Sequence, residues 1–120
     1  MNSHEEALDR LRILCMRLPE ASEKNSWGHP NFRAGKRTFA TFEWIEGRGS
    51  VAILLGSEEA DRFLLDHQNS FSSPYGRGDW VSVWADGELD WKLLEQLIER
   101  AYRRVALKRM IAALENERGG

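Results

Sequence analysis

Apolar residues recur at intervals of three and four through Ala7, Leu8, Leu11, Leu14, Cys15 and Leu18, which predicts an amphipathic helix with one buried face. Ser3 followed three residues later by Glu6 has the form of a capping box at its start. Pro19 ends it, because the residue before a proline is pushed out of helical geometry. Beyond a polar connection the period changes to two. In "RTFATFEW" (37–44), Phe39 and Thr41 fall on one face of a strand and Ala40, Phe42 and Trp44 on the other. "EGRG" (46–49) supplies a turn, "SVAILL" (50–55) returns as an antiparallel partner, and "NFRAGKRTF" (31–39) reads as a further hairpin with Ala34-Gly35 at its tip.

Ser57, followed by Glu58 and Glu59, reads as the cap of a short helix whose positive end favours the two carboxylates, with Ala60, Phe63 and Leu64 inward. "QNSFSSPYGRGDW" (68–80) is a loop by composition. "DWVSVWA" (79–85) is a strand with Val81 and Val83 on one face and Trp80, Ser82 and Trp84 on the other. Asp90 is a good N-cap for a last helix whose buried stripe is Leu94, Leu97, Ile98, Ala101, Tyr102 and Val105, and which either runs through Ala112 or breaks near Lys108. The end, "NERGG" (116–120), is expected to fray. Helix, antiparallel strands, helix, strand, helix is the order of an α+β fold, a single domain over 1–120 in which helices pack on one face of an antiparallel sheet and leave the other face free.

Composition narrows the function. A chain of 120 residues with 42% apolar and 30% charged positions can build one real core. Its net charge of −2 gives no global electrostatic case for nucleic acid, so only a local basic patch could serve that role. The lone cysteine, Cys15, forms no internal disulfide and falls on the buried helical face, where a small inert thiol is expected rather than a nucleophile. No apolar run approaches a bilayer span, and the N-terminus is acidic where a signal peptide is basic, which points to a cytoplasmic protein.

The three histidines, His4, His29 and His67, share no metal-ligand spacing, and no serine sits in a nucleophile elbow. The glycine pairs at 47–49 and 76–78 lack a phosphate-loop fingerprint and read as turns. Neither a metal nor another cofactor is expected. The cluster at 27–37 carries more: Trp27, Gly28, His29 and Pro30 precede a strand, and Arg33, Lys36 and Arg37 crowd the hairpin beside them. Basic groups interleaved with aromatics can hold phosphates while rings stack on bases. The structural alternative is a polar hairpin tip with Trp27 covering the core edge.

"RLPEASEKNSWGHPNFRAGKRTFATF", "PYGRGDWVSV" and "DWKLLEQLIERAYRRVALKRM" together resemble the MmcQ/YjbR family of small bacterial proteins over most of the chain, from about residue 7 to residue 111. That resemblance implies a frataxin-like (CyaY-like) α+β fold and a DNA-binding role through a double-wing arrangement of hairpins, with no catalytic residues to transfer. On the matching positions it implies contacts from Trp27, His29, Arg33 and Lys36 in the first turn and hairpin. Tyr75, Arg77 and Trp80 offer contacts in the late loop and strand, and Lys108 and Arg109 at the end of the last helix.

The first expectation is therefore a non-enzymatic protein that binds DNA or a nucleotide-like anion. Arg33, Lys36, Arg37 and Arg77 would meet phosphate, while Trp27 and Tyr75 stack. The alternative is a module that binds a small molecule or a protein in a pocket between the sheet and the 72–80 loop, as in sequestration. A third reading, an enzyme using His29 as acid and base, requires a carboxylate within hydrogen-bond reach of that ring.

Overall fold

The chain runs α1 (Ser3–Met16), β1 (Ser22–Ser26), β2 (His29–Ala34), β3 (Arg37–Ile45), β4 (Arg48–Leu54), α2 (Ser57–Asp66), β5 (Ser70–Ser72), β6 (Trp80–Trp84), α3 (Trp91–Val105) and α4 (Lys108–Gly119) in a computed structural model that describes residues 3–74 and 76–119. The six strands form one sheet, antiparallel at every pairing, in the order β1-β2-β3-β4-β6-β5. α1 packs against β2 and β4, and α3 against β2, β3 and β4. This is the α+β architecture that the order of elements predicts.

The core lies between these helices and one face of the sheet. Leu11 and Cys15 from α1, and Ile98, Ala101 and Tyr102 from α3, meet Phe32, Phe39, Phe42, Val51 and Ile53, all of them buried. Each large apolar side chain removed from water contributes about 1.5–3 kcal/mol. Tyr102 satisfies its one polar group by donating its hydroxyl to the Pro19 carbonyl at 2.7 Å, and its ring stands edge-on to Phe39 with centroids 5.7 Å apart. Burial pushes the Cys15 thiol far up from its ordinary range, so the thiol stays protonated and inert.

Strict alternation along β3 fails at one place. The β2–β3 register slips between Phe32, opposite Ala40, and Arg33, opposite Thr38, which leaves Phe39 as an extra residue. A bulge of this kind turns two successive side chains toward one side. Phe39 therefore joins Ala40 and Phe42 on the helical face, where it meets Tyr102, instead of sharing a face with Thr41.

Other differences have equally local causes. The "polar connection" contains β1, which pairs with His29–Arg33 of β2 through backbone groups that need no apolar side chains. The late loop contains the three-residue β5, paired with β6. Gly56, not Ser57, occupies the N-cap of α2, with no side-chain cap. Asp90 does cap α3, accepting from the Leu93 amide at 3.1 Å. α3 ends at Ala106, whose extended backbone breaks the helix, and α4 continues to Gly119 where composition suggested fraying. Two buried side chains, Met110 and Leu114, and ion pairs from Arg118 to Glu99 and Arg103 to Glu115 hold α4 down. The side chain of Ser3, and with it the capping box, lies outside the described residues.

Among the described residues no helix is long and apolar enough to cross a membrane, and no group of three or more His, Cys, Asp or Glu could hold a metal ion.

Candidate functional site

Strand registers sort the sheet into two faces. Pro30, Phe32 and Ala34 of β2 are buried on the helical side, so His29, Asn31 and Arg33 stand on the other. Asn31 lies opposite Thr41, Thr41 opposite Ala52, and Ala52 opposite Ser82. Glu43 lies opposite Ser50, and Ser50 opposite Trp84. The face without helices thus carries a polar belt across four strands. It is not a solvated surface: Asn31, Thr41, Ser50 and Ser82 are each at most 2% exposed.

Two features account for that burial. The segment between β5 and β6 leaves the sheet edge and packs back, with Gly76 so close to Trp80 that a Cβ there would fall 2.2 Å from Cδ1 of the indole. The sheet also curls. β3 and β5 are three strands apart in the order, about 14 Å on a flat sheet. Yet Ser73, immediately after β5, places its hydroxyl 3.4 Å from Oε1 of Glu43 on β3. A carboxylate side chain cannot cross that span on a flat sheet, so the twisted sheet must be concave on this face.

Inside the belt, hydrogen bonding is incomplete. Among the described residues, His29 Nδ1, Asn31 Oδ1, Arg33 Nε, Thr41 Oγ1 and Ser82 Oγ are buried without a partner. In folded proteins about nine buried polar groups in ten are satisfied, so five unsatisfied atoms on one face form a feature of the molecule. Asn31 spends its amide NH₂ on the His29 carbonyl at 3.1 Å, which leaves Oδ1 as a free acceptor. Continuing the Asn31–Thr41 register by two residues sets His29 opposite Glu43. Burial raises the Glu43 carboxyl above its ordinary range, opposed by the nearby His29 charge and the Ser73 hydroxyl.

The residues singled out in the sequence do not all meet here. His29 and Arg33 do. Trp27 sits at the tip of the β1–β2 hairpin, 96% exposed, so it anchors nothing in the core. Its φ of +54° beside Gly28 at +79° is the pair of left-handed residues that a tight two-residue hairpin demands, a costly conformation for a bulky side chain.

Lys36 and Arg37 lie at the other end of β2, roughly 17 Å from His29 by strand rise, and do not crowd Trp27 as their spacing suggested. They share that end with the α3–α4 junction, since Gly35 packs on the Leu107 side chain, and Lys108 follows directly. Arg109 is occupied by a two-pronged bond to Glu20 at 2.8 and 3.0 Å, which also holds the Glu20 carboxyl below its ordinary range. Arg77 is exposed in the late segment, and Trp80 is buried. Tyr75 lies outside the described residues.

Sequence reasoning passed over Asn31, Thr41, Glu43 and Ser82. The available signal was alternation: His29, Asn31 and Arg33 at spacing two, and Thr41 and Glu43 on the same strand face, mark a polar side of the sheet. Nothing local says that this side is covered.

The YjbR family model matches residues 16–104. The fold is similar to the crystal structure of the Deinococcus radiodurans protein DR2400, described as a DUF419 domain, with 23% identity and a TM-score of 0.72 over 93% of this chain and 87% of that one. It is also similar to a protein from Pseudomonas syringae, with 14% identity and a TM-score of 0.67 over 81% of this chain and 97% of the other. No curated protein matches the sequence.

Proposed function

The chain belongs to the YjbR family, and from that premise we propose that it is a non-enzymatic binding protein that takes a small polar molecule on the concave, helix-free face of its sheet. The observation that carries this reading is the set of five buried, unpartnered polar atoms on that face, from His29, Asn31, Arg33, Thr41 and Ser82. Leaving a buried donor or acceptor unmade costs about 1–3 kcal/mol. These atoms have no accessible surface, so a ligand that supplies the missing partners must displace what covers them before it recovers that cost.

A nucleic-acid grip finds less support. Phosphate-backbone binding needs cations gathered along one track, and here Arg33 is on the concave face, Lys36, Arg37 and Lys108 are at one end of the sheet, and Arg109 is neutralised by Glu20. A catalytic role for His29 also lacks a partner set. Glu43 is near enough to feel the ring electrostatically, but among the described residues no hydrogen bond or ion pair joins the two, and His29 Nδ1 has no partner.

The test is a thermal-shift and calorimetric screen of small polar compounds and short oligonucleotides against the wild type and the Thr41→Val/Ser82→Ala double variant. Stabilisation by a small compound, lost in the variant, is expected. Oligonucleotide binding with no small-molecule response, or a response that the variant leaves intact, overturns the reading.

A further inference from the structure

We propose that a small open cavity on the helical side of the sheet, between the last turn of α2, β6 and the start of α3, is a second binding site, and that it takes a primary amine with a compact apolar body. The site is independent of the concave face. Val83, which helps to line it, points to the opposite side of β6 from Ser82.

The cavity has a volume of about 130 Å³, and its apolar lining is Phe63, Val83, Leu89, Leu93 and Leu94. Phe63, Val83 and Leu94 are buried, so its depth is apolar. A cavity of about 150 Å³ with such a lining takes a benzene molecule, which sets the size of what enters here at one six-membered ring or a short alkyl chain. The half-buried His67 ring stacks on Phe63 with centroids 4.0 Å apart and extends that wall outward.

The polar lining groups select a cation. Glu88 is exposed and has no ion pair among the described residues. The exposed Asp90 carboxylate gives one oxygen to the Leu93 amide at 3.1 Å and keeps its charge. His67 Nδ1 lies 3.0 Å from the Phe63 carbonyl, which can only accept, so Nδ1 donates and Nε2 of the neutral ring is left as an acceptor. Asn69 is the neutral polar group of the lining, and no lysine or arginine belongs to it. Of the nearby cations, Lys92 falls on the far side of α3 from Leu94 by the helical period. Arg62 lines a different cavity with Arg100 and Arg104, and Arg48 is held by Asp86 at 2.8 and 2.9 Å. Two helix ends also meet here. The negative end of α2 has no basic residue in its last turn, and the positive end of α3 is already answered by its Asp90 cap.

Apolar depth with carboxylates at the mouth fixes how a ligand must enter. An anion meets two like charges. A neutral hydrocarbon leaves both carboxylates unused. A lysine side chain enters ammonium first, and its charge would lose water against Phe63 and Leu94 with nothing in return. A free amine on a ring or short chain places its body among the apolar side chains and its ammonium beside Glu88 and Asp90.

The experiment is an NMR titration of the full chain with benzylamine, benzyl alcohol, benzoate, methylamine and phenylalaninamide, followed at the Val83 and Leu93 methyl groups and the His67 ring. Benzylamine should shift these signals saturably, benzyl alcohol should bind about fivefold more weakly, as two partly exposed charge contacts imply, and benzoate and methylamine should not saturate. Glu88→Gln/Asp90→Asn should bring benzylamine down to the level of benzyl alcohol and still fold, because asparagine caps a helix as well as aspartate. Leu89→Trp should abolish binding of both by filling the cavity. Benzyl alcohol or benzoate binding as tightly as benzylamine overturns the amine assignment, as does a benzylamine affinity that the double charge variant leaves intact. Benzylamine binding that survives Leu89→Trp, or shifts that fall outside the cavity, overturns the site. Phenylalaninamide mimics an apolar peptide N-terminus, and tighter binding of it than of benzylamine gives the cavity to a peptide and overturns the free-amine assignment. No saturable response to any of the five overturns the proposal entirely.

Discussion

The Ser73 hydroxyl meets the Glu43 carboxylate at 3.4 Å across a sheet in which their strands are three positions apart. The bond is long for an O–H···O contact and contributes little by itself. Its meaning is geometric: it closes the concave face over the polar belt and half-buries an acid there. Because burial is the main influence on Glu43, its folded pKa lies above the ordinary value of 4.5. The sign follows. Between those two values the folded state holds a proton that the unfolded state has released, so stability is greatest below the ordinary value and falls as pH rises through the folded one. Glu43→Gln removes that fall. Urea midpoints compared from pH 4 to pH 7 should converge with the wild type at the acid end and favour the variant by a few tenths of a kcal/mol at neutral pH, after allowance for solvent screening. A variant less stable at pH 7 than at pH 4, relative to wild type, contradicts the burial argument.

Thr41→Val and Ser82→Ala separate folding from binding. Both hydroxyls are fully buried without a partner, so replacing each by an apolar group of similar shape removes a desolvation cost and leaves no bond unmade. The free protein should gain about 1 kcal/mol per site, read as a higher denaturation midpoint at unchanged m-value. Stability gained where binding is lost is the signature of a functional site. A loss of stability in both variants means that the hydroxyls are bonded in solution, and the belt is then structural.

Trp27 tests whether the hairpin tip is under selection for something other than folding. At φ +54° followed by Gly28 at φ +79°, the turn is of the kind that Asn-Gly serves best, and tryptophan is a poor occupant. The indole is 96% exposed and contributes no burial in return. Trp27→Asn should therefore raise stability by about 1 kcal/mol, the usual scale of local backbone strain. An unchanged or lower unfolding midpoint would mean that the indole has a packing role the fold does not reveal.

Gly76 and Gly78 are close in sequence and differ in what they tolerate. A Cβ on Gly76 would lie 2.2 Å from the buried Trp80 ring, whereas a Cβ on Gly78 meets nothing within 4 Å and suffers only from its φ of +89°. Gly76→Ala should cost about 1–3 kcal/mol through overpacking, and Gly78→Ala about 1 kcal/mol through strain. Near-ultraviolet circular dichroism should register the first, by displacement of Trp80, and be insensitive to the second.

The fold was more legible than the site because the two depend on different kinds of information. The helical stripe of Leu94, Leu97, Ile98 and Ala101, the Asp90 cap and the alternation of Val81 and Val83 are local patterns, and local patterns survive folding. Burial of a polar residue is not local. Thr41 and Ser82 read as members of a free face because each stands among polar or small neighbours. What hides them is the curl of the sheet and the return of the late segment, both set by residues far away in sequence. The same limit misplaced Lys36 and Arg37 beside His29: short separation along a strand is a long distance in space. The bulge at Phe39 was invisible for a related reason, since it is defined by a register with β2.

Nucleic-acid binding can be bounded quantitatively. The cations picked out by the sequence do not form one track: Lys36, Arg37 and Lys108 share one end of the sheet, while Arg33 and Arg77 lie elsewhere. Each phosphate contact on duplex DNA contributes about −0.9 to the slope of log affinity against log salt. A single docking pose that uses the sheet end therefore has a slope no steeper than about −2.7 by that measure. The net charge of −2 adds a repulsive background. Fluorescence anisotropy with a labelled duplex should show binding only at low salt, with the double variant Lys36→Ala/Arg37→Ala flattening the slope by about 1.8 and Arg33→Gln leaving it unchanged. A slope of −5 or steeper at 0.1 M salt would require the separate basic groups to act on one track. The concave face would then be the floor of a nucleic-acid groove and not a site for a small ligand.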